Sequence, residues 1–154
     1  MDRNVTHATF SLERSYPAPP ARVFAAWAEP AAKAKWFAGG PSTKHQLDFR
    51  VGGREVAQGG PDGGPLMTFE SLYRDIVPGE RIVYTSTMST ATDLWTVSLT
   101  TVEFTPAADG GTRLVLTEQG TFLDGREEPG WREHGTAEQL DALGAELKER
   151  PEYR

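Results

Sequence analysis

The sequence predicts an α+β fold in which a curved antiparallel β-sheet of about six or seven strands wraps around one long C-terminal helix. Segments of alternating polarity and of strand length fill most of the chain between residues 45 and 122. The turns between them are short and rich in Gly, Pro and Asp, which predicts hairpins and therefore antiparallel pairing. The last segment changes to a helical period, and no other predicted element is long enough to cover one face of such a sheet.

The first strand and two short helices come before the main run of strands. Residues 8–16 alternate in polarity, and Pro17 ends that strand because proline has no backbone N–H to give to a ladder. Pro20 fits the first turn of a helix, where its missing N–H costs nothing. Pro30 ends this helix and opens a second short one, which we expect to close near residues 39–41.

The remaining strands are separated by recognisable turns. Gly52-Gly53, Pro78-Gly79 and Asp109-Gly110-Gly111 are typical turn sequences. The Gly- and Pro-rich segment 59–65 is predicted to be a mobile loop at the rim of a cleft. The predicted strands are 45–50, 54–58, 66–77, 81–88, 93–106 and 112–122.

The C-terminal segment has the pattern of an amphipathic helix. Leu140, Leu143 and Leu147 recur at i, i+3 and i+7, with charged residues between them. We expect the helix to run from about 126 to 149, with Asp124 as its cap, and to span roughly 35 Å. A strongly curved sheet around such a helix leaves a pocket where the two diverge.

Composition excludes several classes of function. The length of 154 residues predicts a single domain over 1–154, and the absence of cysteine excludes disulfides, a thiol nucleophile and a cysteine zinc site. No apolar run is long enough for a membrane span and the N-terminus is not a secretory signal, so we expect a cytoplasmic protein. A net charge of −6 without a basic patch argues against nucleic-acid binding. Neither a phosphate-binding loop nor a Gly-x-Ser-x-Gly elbow is present, and no cofactor is predicted.

Several motifs spread over nearly the whole chain resemble the SRPBCC (START-like) superfamily, and within it the family named for the activator of the heat-shock-chaperone ATPase. The motifs are Val23-Phe24-Ala25-Ala26-Trp27 with Glu29-Pro30, Lys35-Trp36-Phe37, Asp48-Phe49-Arg50-Val51-Gly52-Gly53, Ile76-Val77-Pro78-Gly79-Glu80-Arg81-Ile82-Val83-Tyr84, Gly111-Thr112-Arg113-Leu114, and the Leu140, Leu143 and Leu147 helix. The resemblance implies the helix-grip fold. Many relatives carry a Gly-Trp pair in the last helix where this chain has Gly135-Thr136, which leads to the hypothesis of a larger or more polar pocket.

Glu118 is the most informative candidate for the pocket. It shares a strand face with Leu114 and Leu116, which should point at the helix, and a carboxylate there is costly unless it is paired or hydrated. It therefore either borders a hydrated cavity or is turned outward by a bulge. Strand 93–106 carries apolar residues on both faces, so the pattern does not decide which face points inward. The predicted pocket residues are Trp36, Phe49, Phe69, Tyr84, Trp95, Glu118, Trp131 and His134.

No metal site is predicted. His134 and Glu138 share a helix face, which is a minimal start to a metal site, but the spacing of the sequence offers no third ligand. Solvent exposure is the leading interpretation of His134, with a place in the pocket as the alternative.

Three functions are compatible with these patterns. The first is binding of a small apolar or amphipathic molecule, since the resemblance implies relatives that bind lipids, polyketides and other hydrophobic compounds. The second is an enzyme that resembles the cyclase or hydrolase-like branches of the superfamily, with Glu118, Tyr84 and His134 as the candidate polar residues in its cavity. The third is regulation of the chaperone ATPase through protein contacts, as the family name suggests. A homodimer is a further expectation if strand 93–106 exposes an apolar face.

Overall fold

The computed structural model describes residues 3–37, 43–60 and 64–149 of the chain. Its elements follow the predicted order of one strand, two short helices, six strands and one long helix. They are β1 (Val5–Tyr16), α1 (Pro20–Ala28), α2 (Pro30–Phe37), β2 (Lys44–Leu47), β3 (Arg54–Gly59), β4 (Met67–Val77), β5 (Arg81–Ser89), β6 (Leu94–Pro106), β7 (Thr112–Leu123) and α3 (Pro129–Glu149).

All seven strands form one antiparallel sheet in the order β1-β7-β6-β5-β4-β3-β2. Strands that follow one another from β2 to β7 are neighbours, as the hairpin-length turns predict, and β1 pairs with β7 along its whole length from Val5↔Leu123 to Tyr16↔Thr112. The sheet curves around α3, and this arrangement confirms the predicted helix-grip fold.

The leucine stripe of α3 is the centre of the core. Leu140, Leu143 and Leu147 are at most 1% exposed, and the Tyr16 hydroxyl donates a hydrogen bond of 2.7 Å to the Leu140 carbonyl. Burial of leucine side chains of this kind stabilises a fold by about 2 kcal/mol each. The stripe therefore fixes α3 against the sheet and sets one wall of the space between them.

Two glycines shape the turn between β2 and β3 as predicted. Gly52 has a φ of +85°, which favours glycine. A Cβ at Gly53 would lie 2.1 Å from the Asp48 carbonyl oxygen, so no side chain fits there. The turn begins earlier than predicted, because the Gly53 N–H bonds the Arg50 carbonyl, and β2 ends at Leu47 and does not extend to residue 50.

The start of α3 also differs from the prediction. Asp124 and Gly125 both have positive φ, of 59° and 66°, so the chain turns sharply there and the helix begins at Pro129 and not at 126. The Asp124 carboxylate does not cap the helix. It accepts a 3.0 Å hydrogen bond from the Asn4 backbone N–H and so holds the start of β1. The predicted end of α2 at residues 39–41 lies outside the described residues, as do residues 61–63 of the predicted loop.

Strand β6 turns its polar face inward. Thr96, Ser98 and Thr100 are buried, whereas Val97 and Leu99 are 42% and 38% exposed. Hydrophobicity alone would favour the reverse, and the reason lies in the polar partners of these hydroxyls, described below. The exposed Val97 and Leu99 are the apolar face on which the expectation of a homodimer depends, and the homodimer stays a prediction.

Candidate functional site

A cavity of about 440 Å³ lies between the sheet, the first half of α3, and the short helices α1 and α2. We call it the central cavity. It has room for a molecule of roughly 15 non-hydrogen atoms at the packing density of protein interiors. It is lined by Trp27, Trp36, Phe37, Thr43, Ala57, Gly59, Gly60, Met67, Phe69, Tyr84, Met88, Leu116, Glu118, Glu127, Trp131, Arg132, Gly135, Thr136, Gln139 and Leu140.

One end of the cavity is aromatic. Trp36 packs edge-on against Trp27 and Phe37, with ring centroids 4.7 and 5.7 Å apart, and Phe37 packs in the same way against Phe69 at 5.4 Å. The Trp36 indole N–H donates a 3.0 Å bond to the Ala26 carbonyl, which joins α2 to α1. These contacts hold the rings in fixed orientations, so the apolar wall is formed before any ligand arrives.

A buried lysine lies behind this aromatic wall. Lys33 is completely buried, and its ammonium nitrogen is 4.3 Å from the Phe37 ring centroid and 5.2 Å from that of Trp27. The same nitrogen lies 2.6 Å from Oε1 of Glu55, which is also completely buried. Lys33 does not line the cavity, so its role is to join α2 to β3 and to support the wall.

Glu55 is the centre of this buried group, which we call the Lys33 cluster: Lys33, His45, Glu55 and Tyr73. His45 Nε2 lies 2.7 Å from Glu55 Oε2, and the Tyr73 hydroxyl donates a 3.2 Å bond to Oε1. Burial raises the pKa of Glu55, but Lys33 and His45 together lower it by more than burial raises it. The pKa of Glu55 is therefore below its usual value of 4.5. Burial lowers the pKa of the Lys33 amine, and the Glu55 carboxylate opposes this. The short contact between them is that of an ion pair.

The opposite end of the cavity is polar and contains Arg132. Its guanidinium lies 2.7 Å from Glu118 Oε2 and makes two bonds to Glu127, of 2.8 and 3.0 Å. It also donates to Ser98 Oγ at 3.2 Å and to Thr96 Oγ1 at 2.7 Å. This explains the inward polar face of β6, because its hydroxyls accept hydrogen bonds from an arginine on α3. We call Arg132, Glu118 and Glu127 the arginine cluster.

Tyr84 lies between these two ends. Burial, and then the nearby carboxylates of Glu118 and Glu55, raise the pKa of the Tyr84 phenol well above its usual range. The hydroxyl therefore stays protonated at neutral pH. It can orient a ligand by a hydrogen bond but does not supply a phenolate base.

Five of the eight predicted pocket residues line the central cavity. They are Trp36, Phe69, Tyr84, Glu118 and Trp131. Glu118 is on the cavity side of its strand, as one of its two interpretations predicts, and it is 7% exposed and paired with Arg132. Trp131 is 64% exposed and lies at the rim.

The other three predicted pocket residues lie outside the cavity lining. Phe49 packs between Phe24 and Tyr73, with centroid distances of 5.6 and 5.0 Å, and belongs to the core. Trp95 is absent from the lining and falls where the pairing of β5 with β6 shifts register, between Leu94 and Thr96. His134 is exposed and lies 2.8 Å from Glu138 on the helix surface, as its leading interpretation predicts.

Sequence reasoning missed the charged partners, although the stripe of α3 contains a signal for one of them. The stripe Leu140, Leu143 and Leu147 continues backward at intervals of four through Thr136 to Arg132. An arginine on the buried side of a helix, opposite a strand with an inward carboxylate, predicts an ion pair. Lys33 offers a weaker signal: it precedes Trp36 and Phe37 by three and four residues and so lies on the same face of α2 as these aromatic residues.

The described residues contain no group of three or more His, Asp or Glu side chains arranged to hold a metal ion. Within the same part of the chain, none of the helices combines the length and the hydrophobicity needed to cross a membrane.

Comparison with known proteins gives a family and close structural relatives. The family model described as Activator of Hsp90 ATPase homolog 1-like protein matches residues 17–148. The Mll3558 protein from Rhizobium loti is 46% identical, with a TM-score of 0.88 over 94% of this chain and 99% of that one. A putative uncharacterized protein from Rhizobium leguminosarum is 42% identical, with a TM-score of 0.90 over 97% and 99%. Protein CV1439 from Chromobacterium violaceum is 29% identical, with a TM-score of 0.72 over 89% and 95%. None of the curated proteins matches the chain.

Proposed function

Because this chain belongs to the family of Activator of Hsp90 ATPase homolog 1-like proteins, whose members share this fold, we propose that it binds a small apolar or amphipathic molecule in the central cavity. The observation that carries the proposal is the aromatic end of the cavity, where Trp36, Phe37 and Phe69 form a rigid apolar wall. A concave, mostly apolar site with a few polar groups at one end is typical of small-molecule sites. Met67 and Met88 add flexible apolar surface that adapts to ligand shape.

The enzyme alternative has less support from the geometry. It needs a polar constellation inside the pocket, and of its three candidates His134 is exposed and outside the lining. Glu118 is held by Arg132 and Tyr84 keeps its proton, so neither is placed as a free base. The chaperone alternative depends on the family description, and an ATPase assay with the purified chaperone tests it directly.

Filling the cavity tests the proposed function. Thr136 is buried and lines the cavity from α3. We expect Thr136→Trp to fill part of the cavity and to weaken binding of the neutral fluorescent probe N-phenyl-1-naphthylamine at least about tenfold, because a filled cavity cannot admit it. Fluorescence titration gives the Kd, and Glu133→Trp, which adds the same side chain to an exposed position of α3, is the matched control. Unchanged affinity in Thr136→Trp would rule out the central cavity as the probe's site.

Trp131 provides a second test at the cavity rim. Its side chain lines the cavity although it is mostly exposed, so it contributes contact area to a ligand and little to the core. We expect Trp131→Ala to weaken probe binding by about three- to tenfold while the free energy of unfolding changes by less than about 0.5 kcal/mol. Val97→Ala, on the outer face of β6, is outside the cavity lining and should leave probe binding unchanged. A Trp131→Ala variant that binds like the wild type would remove this residue from the site.

A further inference from the structure

We infer that the ligand of the central cavity carries a hydrogen-bond-donating head group, a hydroxyl or an ammonium, that contacts Glu118 and Glu127, and that anionic head groups are rejected. The inference depends on the proposed function, because it specifies the class of molecule that the same cavity takes. It follows from which hydrogen-bonding groups the arginine cluster has already used and which it leaves available.

The donors of Arg132 are all committed within the protein. A guanidinium has five N–H groups. Nε donates to Glu127, Nη1 donates to Ser98 and Glu118, and Nη2 donates to Thr96 and Glu127, which makes five bonds. An arginine in a pocket usually suggests a carboxylate or phosphate ligand. Here an anion would have to displace a partner that is already in place, either a carboxylate or a buried hydroxyl.

The carboxylates of the arginine cluster still have capacity. An ionised carboxylate only accepts hydrogen bonds, and its two oxygens provide about four sites. Each oxygen of Glu127 accepts one bond from Arg132. Glu118 Oε2 accepts one from Arg132, and among the described residues Oε1 has only a long 3.4 Å contact with Thr100. A ligand group that donates hydrogen bonds can use the remaining sites without breaking any of these contacts.

The charge at this end of the cavity points the same way. Among the described residues that line it, the charged ones are Glu118, Glu127 and Arg132, which sum to −1 from two carboxylates and one guanidinium. The whole chain is acidic as well, with a net charge of −6. A carboxylate ligand would be repelled here, whereas a neutral hydroxyl is tolerated and an ammonium is attracted.

The two ends of the cavity fix the orientation of the ligand. The Lys33 ammonium lies behind the rings of Trp27 and Phe37, so their π faces already interact with a cation. A ligand cation at that end would find these ring faces already in contact with Lys33, and Glu55, the nearby carboxylate, already paired with it. The apolar body of the ligand therefore belongs against the aromatic wall, and its head belongs at the arginine cluster.

Four probes with the same naphthalene body test the inference: 1-ethylnaphthalene, 2-(1-naphthyl)ethanol, 2-(1-naphthyl)ethylamine and the carboxylate 1-naphthaleneacetate. They differ only in the head group, and isothermal titration calorimetry at pH 7 gives their Kd values. We expect the alcohol and the amine to bind about tenfold more tightly than the hydrocarbon, as a hydrogen bond to a charged group allows. The acetate should bind more weakly than the hydrocarbon.

A variant separates the charge of the site from its hydrogen bonding. Glu127→Gln keeps an acceptor oxygen but removes one negative charge from the cavity. We expect the advantage of the amine over the hydrocarbon to fall several-fold while that of the alcohol is retained. Glu133→Gln, at an exposed position of α3, is the control and should leave all four Kd values unchanged.

The outcomes distinguish this inference from the proposed function. If the hydrocarbon binds and the four heads make no difference, or the acetate binds most tightly, the inference is overturned and the apolar site stands. If none of the four probes binds, including the hydrocarbon, the proposed function fails and the inference fails with it. The ranking of amine and alcohol above hydrocarbon and of hydrocarbon above acetate supports both.

Discussion

Glu55→Gln is expected to lower the free energy of unfolding by about 3–5 kcal/mol at pH 7, because it leaves the buried ammonium of Lys33 without its counter-charge. Both side chains are completely buried and their charged atoms are 2.6 Å apart. The glutamine can still accept the hydrogen bond of Tyr73, so the loss measures mainly the charge of the carboxylate. Urea denaturation followed by tryptophan fluorescence measures the change.

A double variant shows whether the pair or the packing is responsible. Lys33→Met replaces the ammonium by an apolar group of similar length among the surrounding rings, including Phe37 at 4.3 Å. We expect the double variant Lys33→Met/Glu55→Gln to be much more stable than Glu55→Gln alone, because no unpaired buried charge remains. If the double variant is as unstable as the sum of the two single ones, the Lys33–Glu55 pair does not act as a coupled unit.

The same pair contributes to stability in a pH-dependent way. Since the net pKa of Glu55 in the folded protein is below its usual value of 4.5, the carboxylate contributes stability that is fully present above about pH 4.5. This contribution is lost as the pH falls below that value, because the proton is taken up more readily by the unfolded chain. The difference between the wild type and Glu55→Gln should therefore narrow below pH 4.5. A difference that stays constant down to pH 3 would mean that protonation of Glu55 is not involved.

The sequence predicted most of the fold because its signals were local. The alternation in β7 and the leucine period of α3 do not depend on a distant partner, and the prolines at 17, 20 and 30 end or open elements wherever they occur. The start of α3 was missed because two successive residues with positive φ, Asp124 and Gly125, turn the chain before the helix. From the sequence alone, an aspartate that caps a helix looks the same as one that bonds a distant backbone N–H. Asp124 is of the second kind, because it accepts a bond from the Asn4 backbone.

The site was less predictable, because its polar residues are paired across large separations in sequence. The inward face of β6 is polar because Thr96 and Ser98 bond Arg132, more than thirty residues away, and hydrophobic patterning points the other way. Glu118 was found because a carboxylate on an apolar strand face needs a partner. The identity of that partner follows only once α3 lies across β7. For a buried ion pair of this site, the sequence therefore indicates one member and not the residue that pairs with it.

Arg132→Met is expected to lower the free energy of unfolding by about 3–5 kcal/mol, comparable to Glu55→Gln, because it leaves two carboxylates beside each other without a cation. The Glu118 and Glu127 side chains are only 9% and 13% exposed, so water compensates them poorly. The first turns of α3 also lose their bonds to Thr96 and Ser98. Hydrogen exchange should therefore show that residues 129–136 are the first to lose protection. Chemical denaturation should give the decrease in the free energy of unfolding.

Arg14→Met is the matched control for this second prediction. Arg14 also pairs with a carboxylate of α3, at 2.8 Å from Asp141, but the two side chains are 27% and 67% exposed. An exposed pair of this kind contributes about 0–1 kcal/mol, so the control should lose little stability. Adding Glu118→Gln and Glu127→Gln to Arg132→Met should restore most of what the single variant loses, since it removes both unpaired charges. Equal losses in Arg132→Met and Arg14→Met would show that the arginine cluster is not a buried network, and would remove the reason for expecting its carboxylates to select the head group of a ligand.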